Sequence, residues 1–442
     1  MLNVAFGKTK IQTRRQAFRL CEGLTNFLKN LCPAINNDMK LAIIGGGAAG
    51  FFAAIRAAEQ APEAAVTILE RGKNVLEKVR VSGGGRCNVT HACFDARELV
   101  RHYPRGSREL LAPFLRFGPA DTVEWFERRG VRLKTEPDGR MFPVTDDSAT
   151  IVDCLRQAAQ KAGVVVRTGV RVEGPEQHAG RWRLIGPDNS LAGPYDRVLV
   201  ATGSSTAMWD ALAQLGHRIV PPVPSLFTFN TKDTRLRELS GLSVPRAALH
   251  IPGTKLRAEG PLLVTHWGLS GPAVLRLSAW GARELFEKNY TFPLIINWLG
   301  EMDLPETTRI LSGFKTELAK KQIVSHAQFG LPARLWQNLC LAAGIPEALR
   351  WAELDKQKIA ALASQLSAAQ FSIHGKSTFK EEFVTAGGID LRELHFKTFE
   401  SKLFPGLFFA GETLDIDAIT GGFNFQAAWT GGWIAGGAMA ED

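Results

Sequence analysis

The chain has 442 residues, of which 45% are hydrophobic and 22% are charged. These proportions are typical of a globular protein with a large core, and they exclude a disordered chain and a single small binding module. The formal net charge is +9 at pH 7, and residues 1–38 alone carry six basic side chains against two acidic ones. The remaining positive excess is mild, so it favours anionic ligands such as nucleotides without demanding nucleic acid.

Neither a membrane span nor a structural metal site is expected. The longest uncharged apolar run, Leu41 to Ile55, is shorter than the roughly 18 residues that cross a bilayer, and it contains four glycines. The six cysteines form no C-x-x-C pair and no Cys/His zinc spacing. A reducing, cytoplasmic setting is the expectation that follows.

Residues 1–38 form a basic arm without an acidic block. A targeting peptide is one interpretation of such a segment. A disordered or upstream extension is favoured, because Met39 stands immediately before the first expected strand.

The first folded unit alternates strands and helices. Its expected elements are strands at Leu41–Ile44, Ala65–Leu69, Val164–Arg167 and Arg197–Val200 and helices at Ala48–Gln60 and Ser148–Ala162. Strands that alternate with helices in this way predict a doubly wound α/β sheet.

The pattern changes beyond Pro224. Short extended pieces run to about Trp298, and polar, amphipathic helices follow from Pro305 to about Ala369. The apolar, glycine-rich pattern of the first unit returns at Phe383–Ile389 and continues towards the C-terminus.

These changes predict two domains, one interrupted by the other. The nucleotide-binding domain is assigned to residues 39–222 and 376–442. The inserted domain is assigned to residues 223–375, with a β part over about 223–300 and a helical part over about 304–370.

Gly45, Gly47 and Gly50 form a G-x-G-x-x-G turn between the first strand and the first helix, and Glu70 ends the next strand. The first glycine permits a tight turn, the second lets a pyrophosphate approach the backbone, and the third lets the helix pack on the strand. Free N–H groups at the helix start hold the phosphates, and the acid binds the ribose hydroxyls. The turn therefore predicts a dinucleotide site, and the acid favours a free 2′-hydroxyl.

The C-terminal part of the chain indicates which dinucleotide binds. A buried strand is expected over Leu407–Glu412, ending at a glycine and an acid, and Gly421-Gly422-Phe423-Asn424 opens the final helix. In FAD enzymes a late strand brings an acid to the ribityl chain, and the next helix N-terminus faces the flavin pyrimidine edge, where its dipole stabilises negative charge. FAD is therefore preferred over NAD, with a glycine-rich cap on a packing helix as the alternative.

A second glycine-rich loop, Ser82 to Asn88, is suited to phosphate or flavin oxygens. Three glycines expose backbone donors, and Ser82, Arg86 and Asn88 add side-chain donors. A surface turn is the alternative. Cys87 is a candidate redox thiol, but no resolving cysteine lies nearby in sequence, and a packing role is favoured.

Four motifs together resemble those of a known family. They are the turn at 45–50, the segment V-S-G-G-G-R-C-N-V-T at 81–90, the segment T-H-W-G-L-S-G-P-A at 265–273, and the C-terminal run from V-T-A-G-G-I at 384–389 through G-E at 411–412 to G-G-F-N at 421–424. Over about residues 39–442 the chain resembles the BaiN/YhiN-like flavoproteins, often described as NAD(P)/FAD-dependent oxidoreductases or aminoacetone-oxidase-like proteins.

The resemblance implies a two-part Rossmann-like, glutathione-reductase-like domain with noncovalent FAD and an inserted β-plus-helical domain. The expected FAD contacts are Gly45, Gly47, Ala48, Ala49, Gly50, Glu70, Arg71, Ser82, Gly83, Gly84, Arg86, Cys87, Asn88, Val172, Ala201, Thr202, Gly203, Gly411, Glu412, Gly421, Gly422, Phe423 and Asn424. One departure is S-S-T-A-M-W at 204–209, where such proteins continue with a second glycine and a proline-containing loop. The substrate-side surface is therefore expected to differ.

His266 lies in the T-H-W-G-L-S-G-P-A segment, before a helix expected from about Ala273. A histidine that faces the flavin can protonate a substrate or orient a carbonyl, so His266 is the candidate catalytic residue. A structural histidine is the favoured alternative. Tyr103 is the only tyrosine near a flavin-contacting loop in sequence, which is too little to assign it as an acid.

The expected activity is FAD-dependent hydride transfer through flavin N5, with a substrate pocket between the two domains. No second dinucleotide fingerprint occurs in residues 51–442, so NADH or NADPH would have to dock transiently as the electron donor, or another reductant or an oxidisable substrate would fill that role. Family resemblance implies reduction of a conjugated C=C bond in a small molecule, with an amine-oxidase-like reaction as the runner-up. An RNA-interacting flavoprotein and a flavin-stabilised scaffold are the rivals. We expect neither a nucleic-acid nor a membrane partner, and the oligomeric state is open.

Overall fold

Two seven-stranded sheets organise the part of the chain that the computed structural model describes, which is residues 39–187, 193–377 and 384–441. The basic arm and Phe383 lie outside the described residues. Up to residue 215 the elements are β1 (Lys40–Ile44), α1 (Ala48–Gln60), β2 (Ala65–Glu70), α2 (Glu77–Gly85), β3 (Thr90–His91), α3 (Ala96–Leu99), α4 (Ser107–Arg116), α5 (Pro119–Glu127), β4 (Leu133–Thr135), β5 (Arg140–Pro143), α6 (Ala149–Lys161), β6 (Val165–Thr168), β7 (Gly174–His178), β8 (Arg181–Ile185), β9 (Arg197–Val200) and α7 (Thr206–Leu215).

The remaining elements continue to the C-terminal helix. They are β10 (Ile219–Ser225), β11 (Thr228–Asn230), β12 (Ser243–His250), β13 (Arg257–Thr265), β14 (Gly268–Ser270), α8 (Pro272–Trp280), α9 (Ala282–Glu287), β15 (Thr291–Asn297), α10 (Leu304–Glu317), α11 (Ala333–Ala342), α12 (Lys356–Ser367), β16 (Ala369–His374), β17 (Lys376–Ser377), β18 (Val384–Ile389), β19 (Leu394–His395), β20 (Glu400–Ser401), β21 (Leu407–Phe409) and α13 (Phe423–Met439). The strands and helices predicted for the first unit are confirmed, each end within one residue.

The first sheet has the strand order β19-β20-β21-β9-β1-β2-β6. Strands β6, β2, β1, β9 and β21 run parallel, and β20 and β19 extend one edge antiparallel. Residues 41–43 of β1 are fully buried, as expected for a central strand of a parallel sheet covered by helices. Because the late strand β21 pairs with β9, both ends of the chain build one Rossmann-type domain, and the predicted α/β fold is confirmed.

Helix α13 packs along α1 at very short range. A Cβ on Gly432 would overlap the Ala49 carbonyl, and a Cβ on Gly436 would overlap the Ala53 carbonyl. Small residues on both helices therefore allow the close approach. This packing fixes the C-terminal helix against the helix that follows the glycine turn.

The second sheet is antiparallel, with the order β16-β15-β12-β13-β14-β11-β17. In β16, Ala369, Phe371 and Ile373 point into the core and alternate with exposed residues. Helices α10, α11 and α12 supply most of the helical part of this inserted domain. Two short helices, α8 and α9, lie within the stretch for which mainly extended structure was expected, although the start of α8 near Ala273 was foreseen.

Strands β10 and β18 carry the chain from one domain to the other and back, and they pair antiparallel. Gly387 and Gly388 have φ values of +134° and +129°. A Cβ on Gly388 would lie 2.5 Å from the Thr413 carbonyl oxygen. The crossing is therefore tightly packed against the loop that leads to the final helix.

Candidate functional site

The three glycines of the G-x-G-x-x-G turn have different surroundings. Gly45 has a φ of +109°, and a Cβ there would overlap the Ala201 carbonyl. A Cβ on Gly50 would overlap the Gly45 carbonyl. Around Gly47, in contrast, no described atom lies within 4 Å of a built Cβ. Two glycines are thus required by packing, and the third faces the open space that a pyrophosphate would need.

Glu70 holds this turn through both of its carboxylate oxygens. Its Oε2 accepts a hydrogen bond of 2.8 Å from the Gly46 N–H, and its Oε1 accepts one of 2.7 Å from the Gly72 N–H. Each oxygen keeps a lone pair, so the carboxylate can also accept from ribose hydroxyls. The next residue, Arg71, is exposed.

Segments from distant parts of the chain meet beside the turn. A Cβ on Gly203 would lie 3.8 Å from Glu412 Oε2, and that carboxylate pairs with Lys78 at 2.5 Å. Thr202 Oγ1 and Thr413 Oγ1 are buried without a hydrogen-bond partner among the described residues. Buried hydroxyls without partners are expected where a polar ligand binds, so these residues fit a bound dinucleotide.

The loop after α2 is a run of left-handed backbone. Gly83, Gly84, Gly85 and Cys87 have φ values of 59°, 68°, 84° and 60°. The αR–αL step typical of an anion nest occurs at Arg86 (φ −95°, ψ −18°) and Cys87, and the N–H groups of both residues donate to the Ser82 carbonyl. The Cys87 thiol is fully buried and burial raises its pKa to about 12, so it is a packing group.

Arg86 binds residues in and beside the hairpin of strands β4 and β5. Its guanidinium pairs with Glu136 at 2.6 Å and with Asp146 at 3.4 Å, and it lies 4.0 Å above the centre of the Phe142 ring. The side chain therefore anchors the glycine loop to strand β5. A direct contact of Arg86 with the cofactor stays a prediction.

The start of α13 is held by side chains of the glycine loop. The Asn88 amide lies between the Thr90 carbonyl, to which it donates at 3.0 Å, and the Gly422 N–H, from which it accepts at 2.9 Å. Gly422 has a φ of +90°. Asn424 exchanges two hydrogen bonds with the backbone of Ala418. The remaining first-turn N–H groups of α13 are thus presented at a fixed position.

Other predicted contact residues lie along the same edge. Ala48 and Ala49 begin α1, Val172 is half-buried after β6, and Gly411 lies with its Cβ position 3.2 Å from the Ala49 Cβ. The segment 204–209, whose sequence differs from the family pattern, leads into helix α7. Within this helix, Trp209 Nε1 donates at 2.9 Å to the Thr413 carbonyl. The altered sequence therefore packs against the loop after Glu412.

His266 lies in the inserted domain, on the turn between β13 and β14. Its side chain is exposed, and its ring sits edge-on to Trp267 with a centroid distance of 4.1 Å. Trp267 in turn donates at 3.0 Å to Thr228 Oγ1. A catalytic role for His266 stays a prediction, because these contacts are all within the inserted domain.

Two histidines that no sequence motif indicated lie beside the final helix. The Phe423 ring stacks on His102 at 4.2 Å and on His91 at 4.6 Å, with interplanar angles of 17° and 23°. His91 Nε2 lies 3.0 Å from the Asp138 carbonyl oxygen. Because a carbonyl oxygen can only accept a hydrogen bond, Nε2 is assigned as the protonated nitrogen. Both histidines lie near the predicted glycine loop in sequence, but no spacing signals that their rings meet Phe423.

A buried ion pair within the Rossmann-type domain contacts the inserted domain. The Arg105 guanidinium binds the Asp417 carboxylate through two nitrogens and donates at 2.7 Å to the Ala279 carbonyl at the end of α8. Ser225 donates at 2.7 Å to the same carboxylate. Nearby, Arg283 pairs with Asp415 at 3.1 Å. The inserted domain is therefore fastened to the loop that precedes α13.

Within the described residues, no group of three His, Cys, Asp or Glu side chains is arranged to hold a metal ion. In the same residues no helix is both long and apolar enough to span a bilayer. Four cysteines there are free thiols, and Cys21 and Cys32 lie outside the described part.

The chain matches the family model described as HI0933-like protein Rossmann domain over residues 39–438. It is 31% identical over 415 residues to a 3-dehydro-bile acid delta(4,6)-reductase of Clostridium scindens, covering 91% of this chain and 99% of that protein. It is also 30% identical over 413 residues to a ribosomal RNA dihydrouridine synthase of Escherichia coli, covering 90% and 96%. The family resemblance inferred from the motifs is confirmed.

Among solved structures, the open conformation of a flavocytochrome c3 fumarate reductase is similar with a TM-score of 0.47 and 15% sequence identity. The match covers 94% of this chain and 80% of that chain.

Proposed function

Since the chain belongs to the HI0933-like Rossmann family and is an FAD-dependent oxidoreductase, we propose that it reduces a C=C bond conjugated to a carbonyl group in a small molecule. The names of two relatives share this type of reaction, because a delta(4,6)-reductase and a dihydrouridine synthase both add hydrogen to a carbon–carbon double bond. Hydride adds readily to such a bond only when a neighbouring carbonyl can take up the charge. This shared reaction is the observation that carries the proposal.

The turn at 45–50, Glu70 and the start of α13 together form the cofactor cradle. These residues fit the cofactor that this reaction needs. Bound FAD supplies hydride at its N5 atom once it has been reduced. The open side of Gly47 would leave room for the pyrophosphate, and the Glu70 carboxylate, which accepts from the Gly46 N–H, would also accept from the ribose. The N-terminus of α13 favours negative charge at the pyrimidine edge, which supports the reduced state.

The electron donor is proposed to be NADH or NADPH, bound transiently. The supporting observation is the single G-x-G-x-x-G turn, which the cofactor itself occupies. A nicotinamide that docks from the domain boundary needs no second fingerprint.

Anaerobic half-reactions test the proposal. The yellow protein is mixed with NADH or NADPH, bleaching of the flavin is followed, and the bleached protein is then mixed with a 3-oxo-Δ4,6 steroid. We expect the flavin colour to return with the unsaturated ketone and to stay bleached with the saturated ketone. Return with neither ketone would contradict the proposal, and bleaching by an amine alone would support the amine-oxidase-like alternative.

A uracil base in ribosomal RNA is the second candidate substrate. It is favoured by the relative named as a ribosomal RNA dihydrouridine synthase and by the net charge of +9. The test uses ribosomal RNA as the oxidant of the bleached protein, with and without residues 1–38. RNA binding that falls steeply with salt and survives removal of the arm would support this candidate. Oxidation by the steroid but not by RNA would exclude it.

A further inference from the structure

The boundary between the two domains holds a group that the cofactor cradle does not use. His102 follows α3 in the Rossmann-type domain, and its ring stacks on Phe423, the first residue of α13. Within the described residues the His102 ring makes no hydrogen bond, although its backbone carbonyl accepts one of 3.0 Å from Ile419. The imidazole therefore stands beside the helix start that receives the flavin, with its N–H group free.

Arg276 approaches the same place from the inserted domain. It lies on α8 one turn before Ala279, whose carbonyl is fixed by Arg105, a residue three positions after His102. The guanidinium is exposed, and within the described chain its hydrogen bonding is limited to a contact of 3.4 Å to the Glu259 carbonyl. The Arg105 contact thus brings the Arg276 side of α8 towards His102.

The charge state of His102 suits hydrogen-bond donation. Burial, together with His91 on β3 and Arg276 on α8, lowers the pKa of His102 to about 4. At neutral pH the ring is uncharged and carries one N–H, while Arg276 keeps its positive charge. A neutral imidazole beside a guanidinium offers two donors without transferring a proton.

An exposed aromatic side chain lies on the same helix as Arg276. Trp280 is four residues beyond Arg276 on α8, so the two side chains share one helix face. Its relative exposure is 46%, which is high for such a large apolar group. An exposed indole on the same helix face as Arg276 is suited to packing against a flat, carbonyl-bearing ring.

Resting on the proposed function, we propose that His102 and Arg276 bind the carbonyl oxygen of the substrate and stabilise the negative charge that forms on it. Hydride addition forms a C–H bond at the carbon β to the carbonyl, and the π electrons of the C=C bond move to the carbonyl oxygen. A proton from water then binds the α carbon, and the carbonyl re-forms. The two electrons come from the reduced cofactor, so atoms and charges balance without another reagent.

The experiment compares His102→Ala, His102→Asn and Arg276→Met with Arg101→Gln. Arg101 is the matched control, because it is exposed, adjacent in sequence and paired only with Glu98 at 2.9 Å among the described residues. FAD content and reduction by the donor are measured first and are expected to be unchanged in all variants. Reoxidation by the unsaturated ketone is then expected to be about 100-fold slower in His102→Ala, as for loss of one oxyanion donor.

Rescue separates a donor role from a packing role. His102→Asn keeps a side-chain N–H that His102→Ala lacks. Its reoxidation is therefore expected to be at least about tenfold faster than that of His102→Ala. Arg276→Met is expected to slow the same step, and Arg101→Gln is not. Equal reoxidation rates in the wild type and His102→Ala, or no difference between Ala and Asn, would overturn the inference.

A binding measurement keeps the inference separate from the proposed function. The saturated ketone is titrated into the oxidised holoprotein by calorimetry, which requires no turnover. Weaker binding to His102→Ala and Arg276→Met than to Arg101→Gln supports the inference even if the wild type fails to reduce the unsaturated ketone. Equal binding to all four proteins, or binding to none, counts against it.

Discussion

The Tyr103 hydroxyl donates a hydrogen bond of 2.6 Å to the backbone carbonyl of Phe423, across 320 residues of sequence. Tyr103 is fully buried, and burial raises its pKa well above the usual value near 10. The hydroxyl therefore stays protonated and braces the first turn of α13. Tyr103 is therefore a structural support for the start of this helix, whose contact with the flavin is a prediction.

Replacing Tyr103 by Phe is expected to lower the free energy of unfolding by about 1 kcal/mol, because the Phe423 carbonyl loses one buried donor. Urea unfolding followed by flavin fluorescence measures this change. Tyr290→Phe is the matched control, since its buried hydroxyl has no partner among the described residues, and it should be neutral or slightly stabilising. Loss of FAD from a folded Tyr103→Phe protein would show that the hydroxyl has a further role.

Gly47→Val is expected to fold and to lose most of its FAD. The built Cβ meets no described atom within 4 Å, and the backbone is extended, with φ −92° and ψ −167°, so valine is tolerated by the apoprotein. The branched side chain instead fills the space of the pyrophosphate. The measurement is the ratio of flavin to protein absorbance after purification, with circular dichroism as the folding check.

Gly45→Ala serves as the contrast to this variant. Its Cβ would overlap the Ala201 carbonyl, and its φ is +109°, so the fold itself should be destabilised. A folded Gly47→Val protein with a full complement of FAD would refute the proposed position of the pyrophosphate.

Gly422→Ala is expected to shift the flavin midpoint potential downwards. A Cβ there would lie 2.6 Å from the Thr90 carbonyl oxygen, and the φ of +90° disfavours any other residue, so the start of α13 must move. Losing about 1 kcal/mol of charge stabilisation corresponds to roughly 20 mV for two electrons. The potential is measured by dye equilibration on the fraction that retains FAD.

Gly437→Ala, in the same helix, is the control for Gly422→Ala. Its Cβ would have its nearest contact 3.4 Å away, at the Gln60 side-chain oxygen, so the helix start is undisturbed. Equal potentials in both variants would leave Gly422 as a packing residue only.

Breaking the Arg105–Asp417 pair is expected to cost about 3–5 kcal/mol. Arg105→Met leaves the Asp417 carboxylate fully buried without its guanidinium partner. The double variant Arg105→Met/Asp417→Leu should be more stable than Arg105→Met, because no charge is left unpaired. Chemical denaturation of the two variants and of Asp417→Leu alone completes the cycle, and strictly additive effects would show that the pair is not coupled.

Acidification is expected to destabilise the protein partly through His102. Its pKa of about 4 lies below the value of roughly 6.5 in an unfolded chain, so only the unfolded state takes up this proton between those values. Stability therefore falls as the pH drops from about 6.5 towards 4, by at most about 1.4 kcal/mol per pH unit for this group. The pKa values of His91 and His250 are lowered in the same direction.

Denaturation of the wild type and His102→Asn at pH 7 and at pH 5 checks this dependence. The variant should lose less stability between the two pH values. The chemical shift of the His102 ring protons, followed by NMR as the pH is varied, should show half-protonation near pH 4. A titration near pH 6.5 would contradict the buried, positively surrounded environment.

Local sequence was sufficient for the elements that carry the cofactor cradle. The β1–turn–α1–β2 order ending at Glu70 was predicted within one residue, because strand periodicity, glycine positions and helix starts are short-range properties. The helix that opens after Gly422 was predicted for the same reason, and the strand expected over 407–412 is present but ends at Phe409. The short helix α9 was missed, since a segment of six residues shows little periodicity.

The sequence by itself thus determined the fold class, the family and the FAD fingerprint, because each was recognised from short motifs whose own residues lie close together, although the motifs are spread from Gly45 to Asn424. Only the tertiary structure decided that Tyr103 and Arg105 reach Phe423 and Asp417, more than 300 residues away, and that Arg276 of the inserted domain is near enough to His102 for its charge to lower the pKa of that imidazole. Such pairs depend on strand order and domain docking, which fold the chain back on itself. No local pattern of hydrophobic or charged residues encodes them, because many different partners are compatible with the same local sequence.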